Sequence, residues 1–133
     1  MKIINKLLIT GFYIANLVLI VTYLYPGSIL GCYLYNDCGI GLQITVDFVI
    51  SSNYWISSNH FYIFVIVSAL GIFTYRNTKK IKILITYLFF LSIILELFHL
   101  IIPTRGFEWS DLFGNILGLI FVIVIYKVKN KYV

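Results

Sequence analysis

The sequence predicts an all-α membrane protein with four transmembrane helices, and two observations support this fold class. Of its 133 residues, 61% are hydrophobic and only 11% are charged, whereas a soluble domain has about 45–50% apolar and about 25% charged residues. The apolar residues are concentrated in four runs, each near the length of about 20 residues that crosses the hydrocarbon core of a bilayer. We therefore expect lipid to cover much of the apolar surface.

Each apolar run predicts one helix, and together the helices form a single domain over residues 1–133. The first run is longer than the apolar core of a signal peptide, about 7–15 residues, and no small-x-small cleavage site follows it, so we expect a retained helix. Pro103 ends the third helix, and Ser110 is a natural N-cap for the fourth. The predicted helices are 7–25, 60–75, 83–102 and 110–126.

The placement of charge predicts the orientation of the helices. Nine of the ten basic residues form three groups at helix ends, and four spans put all three groups on one side: Lys2 and Lys6; Arg76, Lys79, Lys80 and Lys82; Lys127, Lys129 and Lys131. The five acids and Arg105 fall on the opposite side. The positive-inside rule then predicts a multi-pass protein of the cell membrane with both termini in the cytoplasm. Because the basic residues do not cluster on one face, we expect no nucleic-acid partner.

The long outer loop, residues 26–59, contains a stretch of alternating apolar and polar residues at 40–50. This period of two predicts either one arm of a short hairpin, turning at Asn36–Gly39, or a flattened interfacial segment. Both cysteines, Cys32 and Cys38, also lie in this loop. A disulfide persists outside the cytoplasm, so this pair is a disulfide candidate, with two free thiols as the alternative.

Two polar stripes interrupt the third and fourth helices. Both stripes have the spacing i, i+4, i+7, which places their members on one helix face: Ser92, Glu96 and His99; Asp111, Asn115 and Gly118. Ionisable residues within a membrane span usually face the bundle interior or a water-filled cavity. Gly114 and Gly118 form a GxxxG pattern that allows another helix to approach closely.

Antiparallel packing of the third and fourth helices would bring these stripes together near the outer surface, within reach of Arg105. One interpretation is an outward-facing pocket that binds a ligand; its residues would be Glu96, His99, Arg105, Asp111 and Asn115, with His60 at the head of the second helix. The other interpretation is interhelical hydrogen bonding, worth about 0.6–2 kcal/mol per bond. His60 alone is more typical of an interfacial histidine, and Asn115 alone of a packing contact.

Metal and cofactor chemistry is not predicted. A zinc site would need ligands from three helices, the candidates being His60, His99, Glu96 and Asp111, and neither HExxH nor CxxC occurs. The GxSxG motif, which would indicate a serine hydrolase, does not occur in the sequence. The tryptophans and neighbouring tyrosines are typical of an outer aromatic belt and are assigned no chemistry.

The segment 96–118 resembles the signature of the VanZ-like family of small polytopic membrane proteins. That signature has Glu-x2-Gln, Pro-x-Arg, and then an Asp followed by Asn at +4 and Gly at +7; it is matched here by Glu96, Pro103, Arg105, Asp111, Asn115 and Gly118. His99 stands where the family usually has Gln. An upstream Asp-Lys-x2-His-Phe element is matched only by His60 and Phe61, because Ile56 and Ser57 replace the charged pair. The resemblance implies a cell-envelope protein, and the founding member is associated with low-level resistance to the glycopeptide teicoplanin.

Three functions are compatible with these patterns. The first is an outer pocket that binds the head group of an envelope lipid, a lipid-linked precursor or an anionic polymer, or that contributes to antibiotic resistance, with Arg105 pairing to phosphate or carboxylate. The second is an intramembrane enzyme in which Glu96 or Asp111 is the general base and His99 the proton shuttle. The third is a structural subunit that assembles with other membrane proteins.

Overall fold

The computed structural model describes residues 2–27, 29, 32–33, 36, 38, 56–102 and 106–132, and no strand occurs among them. Its four long helices are α1 Lys2–Leu24, α2 Ser58–Tyr75, α3 Ile81–Phe98 and α4 Trp109–Tyr132. All four are long and apolar enough to cross a membrane. The all-helical class and the four candidate spans are therefore confirmed.

The helices extend beyond the predicted apolar runs at both ends of the chain. α1 begins at Lys2 and α4 continues to Tyr132, because lysine is a good helix former and a cation in the last turn interacts favourably with the helix dipole. Ser110 is not the N-cap of α4: the helix begins one residue earlier, and the Ser110 hydroxyl donates to Glu108 Oε2 at 3.4 Å.

The C-terminal end of α3 is earlier than predicted, at Phe98. The next residues turn tightly, with i→i−3 hydrogen bonds from the N–H groups of His99, Leu100 and Ile101 at 3.0–3.1 Å. Such bonds satisfy the last carbonyls of a helix while the chain changes direction. Pro103, which was expected to end α3, lies outside the described residues.

The closest helix pair is α2 and α4, and the GxxxG pattern lies at its centre. A Cβ atom at Gly114 would be 2.6 Å from the Ser57 carbonyl oxygen, and one at Gly118 would be 2.5 Å from the Phe61 carbonyl oxygen. Only glycine therefore fits where α4 crosses α2. Because Ser57 and Gly114 meet one turn before Phe61 and Gly118, α2 and α4 run in the same direction.

α1 and α3 run in the opposite direction to α2 and α4. At one end of the bundle the Thr74 hydroxyl donates to the Leu8 carbonyl at 3.5 Å, and the Tyr126 hydroxyl donates to the Arg76 carbonyl at 3.2 Å. The other end, where α1 and α3 finish and α2 and α4 begin, we call the polar end. The basic residues that the structure describes all lie at or beyond the opposite end of the helices.

The interior of the bundle is more polar than a soluble core, and its exterior is more apolar. Glu96, Asn115, Ser68 and Ser92 are fully buried, whereas large aliphatic side chains such as Ile83 face outward with 71% exposure. Lipid accepts apolar side chains but not unpaired polar groups, so a membrane-spanning bundle has this distribution. The surface therefore supports a membrane location.

Part of the predicted outer loop is also described. Cys32 and Cys38 are joined in a disulfide, and Asn36 between them has a positive φ of 53°, a turn conformation that asparagine tolerates better than most residues. The alternating stretch 40–50 and its hairpin or interfacial interpretation lie outside the described residues.

Candidate functional site

Polar side chains from all four helices converge at the polar end. The members are Tyr23 of α1, His60 of α2, Glu96 of α3, Asp111 and Asn115 of α4, and His99 in the turn after α3. Two sets of contacts divide this group: a fully buried network around Glu96 and Asn115, and a partly exposed pair formed by His60 and Asp111.

Glu96 is the most deeply buried ionisable residue, with no solvent exposure. Its Oε1 atom accepts a hydrogen bond from the Glu108 backbone N–H at 3.1 Å and lies 3.3 Å from His99 Nδ1. Its Oε2 atom is buried and has no hydrogen-bond partner among the described residues. Among the described residues, one oxygen of this carboxylate therefore has two partners and the other has none.

The two nitrogens of the His99 ring have different roles. Nε2 lies 3.1 Å from the Tyr23 carbonyl oxygen, and since a carbonyl can only accept, Nε2 carries a hydrogen. The ring also stacks on Tyr23, with centroids 5.8 Å apart. The other nitrogen, Nδ1, faces Glu96 Oε1 at 3.3 Å, so a hydrogen bond between these two atoms needs one proton on either of them.

Asn115 connects three helices and is fully buried. It accepts a hydrogen bond from the Tyr23 hydroxyl at 2.7 Å and donates to the Ser92 carbonyl at 3.4 Å. Its amide thus links α4 to both α1 and α3. This arrangement is the interhelical hydrogen bonding expected for Asn115 when it is considered alone.

His60 and Asp111 form the accessible part of the site. His60 Nδ1 lies 3.0 Å from Asp111 Oδ1, and each side chain is 17% exposed. The Ser57 hydroxyl lies 2.8 Å from the same nitrogen. In a Ser-His-Asp triad the serine and the acid face opposite ring nitrogens, so these three residues do not have the geometry of a hydrolase triad.

Three potential metal ligands from three helices meet here. A ring nitrogen of His60 and a carboxylate oxygen from each of Glu96 and Asp111 lie within 4.8 Å of one another. No metal was predicted, in part because its ligands would have to come from three helices; the fold brings three of those candidate ligands together. His99 is not a member of this group; it contacts Glu96 from outside.

The structure thus gathers five of the six predicted ligand-binding residues at one end of the bundle, and Arg105 lies outside the described residues. Tyr23 was not among the predicted site residues, although it is only 4% exposed and belongs to this group. The sequence contained an indication of this role, because Asn16 and Tyr23 are seven residues apart and therefore form a polar stripe on one face of α1. Ser57 had no comparable signal.

A second polar contact lies nearer the opposite end. The Tyr87 hydroxyl donates to Asn16 Oδ1 at 2.9 Å, beside a cavity of about 310 Å³ that is also lined by Tyr13 and Tyr75. It contains no carboxylate or histidine. Asn16 is therefore interpreted as a packing contact between α1 and α3.

No protein-family model, curated protein or solved structure matches this chain. The geometry itself defines the class: an all-helical protein with four candidate membrane-spanning helices. Within that class the distinguishing feature is a buried group of ionisable and amide side chains, contributed by every helix, at the polar end.

Proposed function

We propose that this chain is a multi-pass cell-membrane protein whose polar end faces outward and binds the net anionic phosphodiester head group of an envelope lipid or polymer. The convergence of polar side chains from all four helices carries the proposal. Two carboxylates and two histidines exceed what helix packing requires, and burying charge in a membrane is costly. His60 and Asp111, each partly exposed, connect the group to the surrounding medium.

The distribution of charge supports this orientation. The described lysines and Arg76 are at or beyond the end of the bundle opposite Glu96 and Asp111. Cytoplasmic flanks are enriched in basic residues, so both termini are assigned to the cytoplasm and the polar end to the outer face. The disulfide beside the polar end of α1 fits an oxidising compartment.

The VanZ-like resemblance supports an envelope role, because the fold provides a physical reason for each described residue of the motif. Glu96, Asp111 and Asn115 belong to the polar group, and Gly118 permits the close crossing of α2 and α4. Arg105 is located in the short segment between α3 and α4 and is the cation nearest to the site in sequence. Its planar guanidinium suits bidentate contact with phosphate. The proposal also includes a contribution of this protein to glycopeptide resistance of the teicoplanin type.

Binding can be tested with the full chain in phosphatidylcholine nanodiscs. The probes are dioctanoyl phosphatidylglycerol, which is anionic, and soluble poly(glycerol phosphate), which distinguishes a polymer source from a lipid source. Dioctanoyl phosphatidylcholine is the reference lipid, because its choline group cancels the charge of its phosphodiester. We expect Arg105→Ala to weaken phosphodiester binding at least about tenfold, the scale of one charge-assisted hydrogen bond. Arg76→Ala, the matched control at the opposite end, should leave binding unchanged. Equal affinity for phosphatidylcholine, or equal effects of the two variants, would contradict the proposal.

One observation favours an enzyme as a second candidate. His99 Nδ1 and Glu96 Oε1 lie 3.3 Å apart in a fully buried pair, an arrangement that general acid–base catalysis uses. An enzyme predicts that Glu96→Gln retains lipid binding but abolishes turnover of a lipid-linked substrate. Co-purification of a stoichiometric membrane partner, with neither binding nor turnover, would instead favour the structural subunit.

A further inference from the structure

We propose that His60, Glu96 and Asp111 form a binding site for a divalent transition metal, with zinc as the best fit. The three side chains belong to three different helices, yet their ligand atoms lie within 4.8 Å of one another. One imidazole and two carboxylates are a donor set that zinc accepts. Zinc binding needs no head group, so this inference is independent of the proposed function.

The spacing requires only a small contraction. Tetrahedral zinc with bonds of about 2.0–2.2 Å places its ligand atoms about 3.4 Å apart. The widest separation among the three atoms is at most 4.8 Å, so closing it by about 1.4 Å is sufficient. His60 and Asp111 are each 17% exposed, and rotation of these partly exposed side chains can provide that movement without displacing a helix.

The Oε2 atom of Glu96 is an independent indication that a cation binds here. Its Oε2 atom is buried without a partner among the described residues, and leaving such an acceptor unsatisfied costs about 1–3 kcal/mol or more for a charged group. Oε1 already contacts two other groups, so Oε2 is the oxygen with lone pairs to offer. A bound cation would satisfy it.

The surroundings of Glu96 resemble the outer shell of a metal carboxylate. Ligating carboxylates are held in orientation by hydrogen bonds from groups that do not touch the metal. Here the Glu108 backbone N–H and the His99 ring occupy that position at Oε1, with distances of 3.1 and 3.3 Å. We therefore assign His99 as a positioning residue and not as a ligand.

Three protein ligands would leave one coordination position for water or a substrate oxygen, as in catalytic rather than structural zinc sites. His60 and Asp111 are each partly exposed, so a water or substrate could reach the metal from their side of the group. A cation at this point would also offset the charge of the two carboxylates. An anionic oxygen could then approach a region that is otherwise acidic.

The test uses the untagged full chain in detergent, stripped with a chelator and titrated with zinc chloride by calorimetry. We expect one zinc per chain by elemental mass spectrometry. His60→Gln and Asp111→Asn should each weaken the affinity by more than about tenfold, the lower range of effects seen even for outer-shell residues. Lys127→Gln is the control, because it also changes the net charge by one unit, at an exposed side chain near the opposite end of the bundle.

A second measurement keeps the inference testable if a variant folds poorly. Cobalt substituted into the wild type should give the intense visible absorption of a tetrahedral site with nitrogen and oxygen donors. Zinc should raise the unfolding temperature of the wild type and of Lys127→Gln by more than that of Asp111→Asn. Absence of stoichiometric zinc in the wild type, or equal affinity in the wild type, His60→Gln and Asp111→Asn, would overturn the site and leave an ordinary His60–Asp111 ion pair.

Discussion

Gly118→Ala should separate α4 from α2. The new Cβ atom would lie 2.5 Å from the Phe61 carbonyl oxygen and 3.0 Å from Phe64 Cβ. Ordinary contact begins at 3.4 Å, so the shortfall at the carbonyl is about 0.9 Å. A backbone carbonyl cannot rotate away as a side chain can, and the helices must therefore move apart. Overpacking of this kind costs about 1–3 kcal/mol.

The cost can be measured by titrating the refolded protein in mixed micelles with sodium dodecyl sulfate and following helix loss by circular dichroism. Gly11→Ala is the matched control, because its new Cβ atom would meet nothing within 4 Å. Alanine has the higher helix propensity, by about 1 kcal/mol, so Gly11→Ala should be neutral or stabilising. If Gly118→Ala and Gly11→Ala unfold at the same detergent fraction, the close approach of α2 and α4 is wrong.

Gly114→Ala should disturb the proposed zinc site as well as the crossing of α2 and α4. Its Cβ atom would lie 2.6 Å from the Ser57 carbonyl oxygen and 3.1 Å from His60 Cβ. Relief of this overlap moves His60 away from Asp111, so zinc affinity should fall together with stability. A loss of stability with unchanged zinc affinity would contradict the assignment of both residues as ligands.

Three further predictions concern topology, the disulfide and the buried network. A reporter fused after Arg76 should read cytoplasmic and one inserted at Gly106 external; the reverse result would overturn the proposed orientation. The oxidised protein should be two hydrogen atoms lighter than the reduced form, and labelling of both thiols by an impermeant maleimide without reduction would refute the bond. Tyr23→Phe should lower the free energy of unfolding by about 1–3 kcal/mol, because Asn115 Oδ1 loses its 2.7 Å donor. Tyr33→Phe, at a side chain with 86% exposure, is its control, and equal stability of the two variants would show that the hydroxyl contributes little.

The number and approximate position of the helices could be predicted from the sequence. A bilayer imposes one length scale on every span, so runs of apolar residues identify helices without knowledge of the fold. Helix ends were less predictable: α4 continues well beyond its apolar run, because backbone hydrogen bonding continues a helix without requiring apolar side chains. The two polar stripes were also readable, since the positions of Glu96 and Asp111 depend only on local helical periodicity.

The tertiary structure decided which residues meet. GxxxG indicates a close crossing, but only the fold shows that α2 is the partner. The role of Tyr23 depends on Asn115 and His99, which are distant in sequence. Likewise, the approach of His60 to Asp111 and Glu96 depends on the packing of three helices. Lipid is as apolar as leucine, so hydrophobicity does not select among helix partners; close packing and interhelical hydrogen bonds do. Those interactions depend on three-dimensional shape, which the linear pattern of apolar residues does not record.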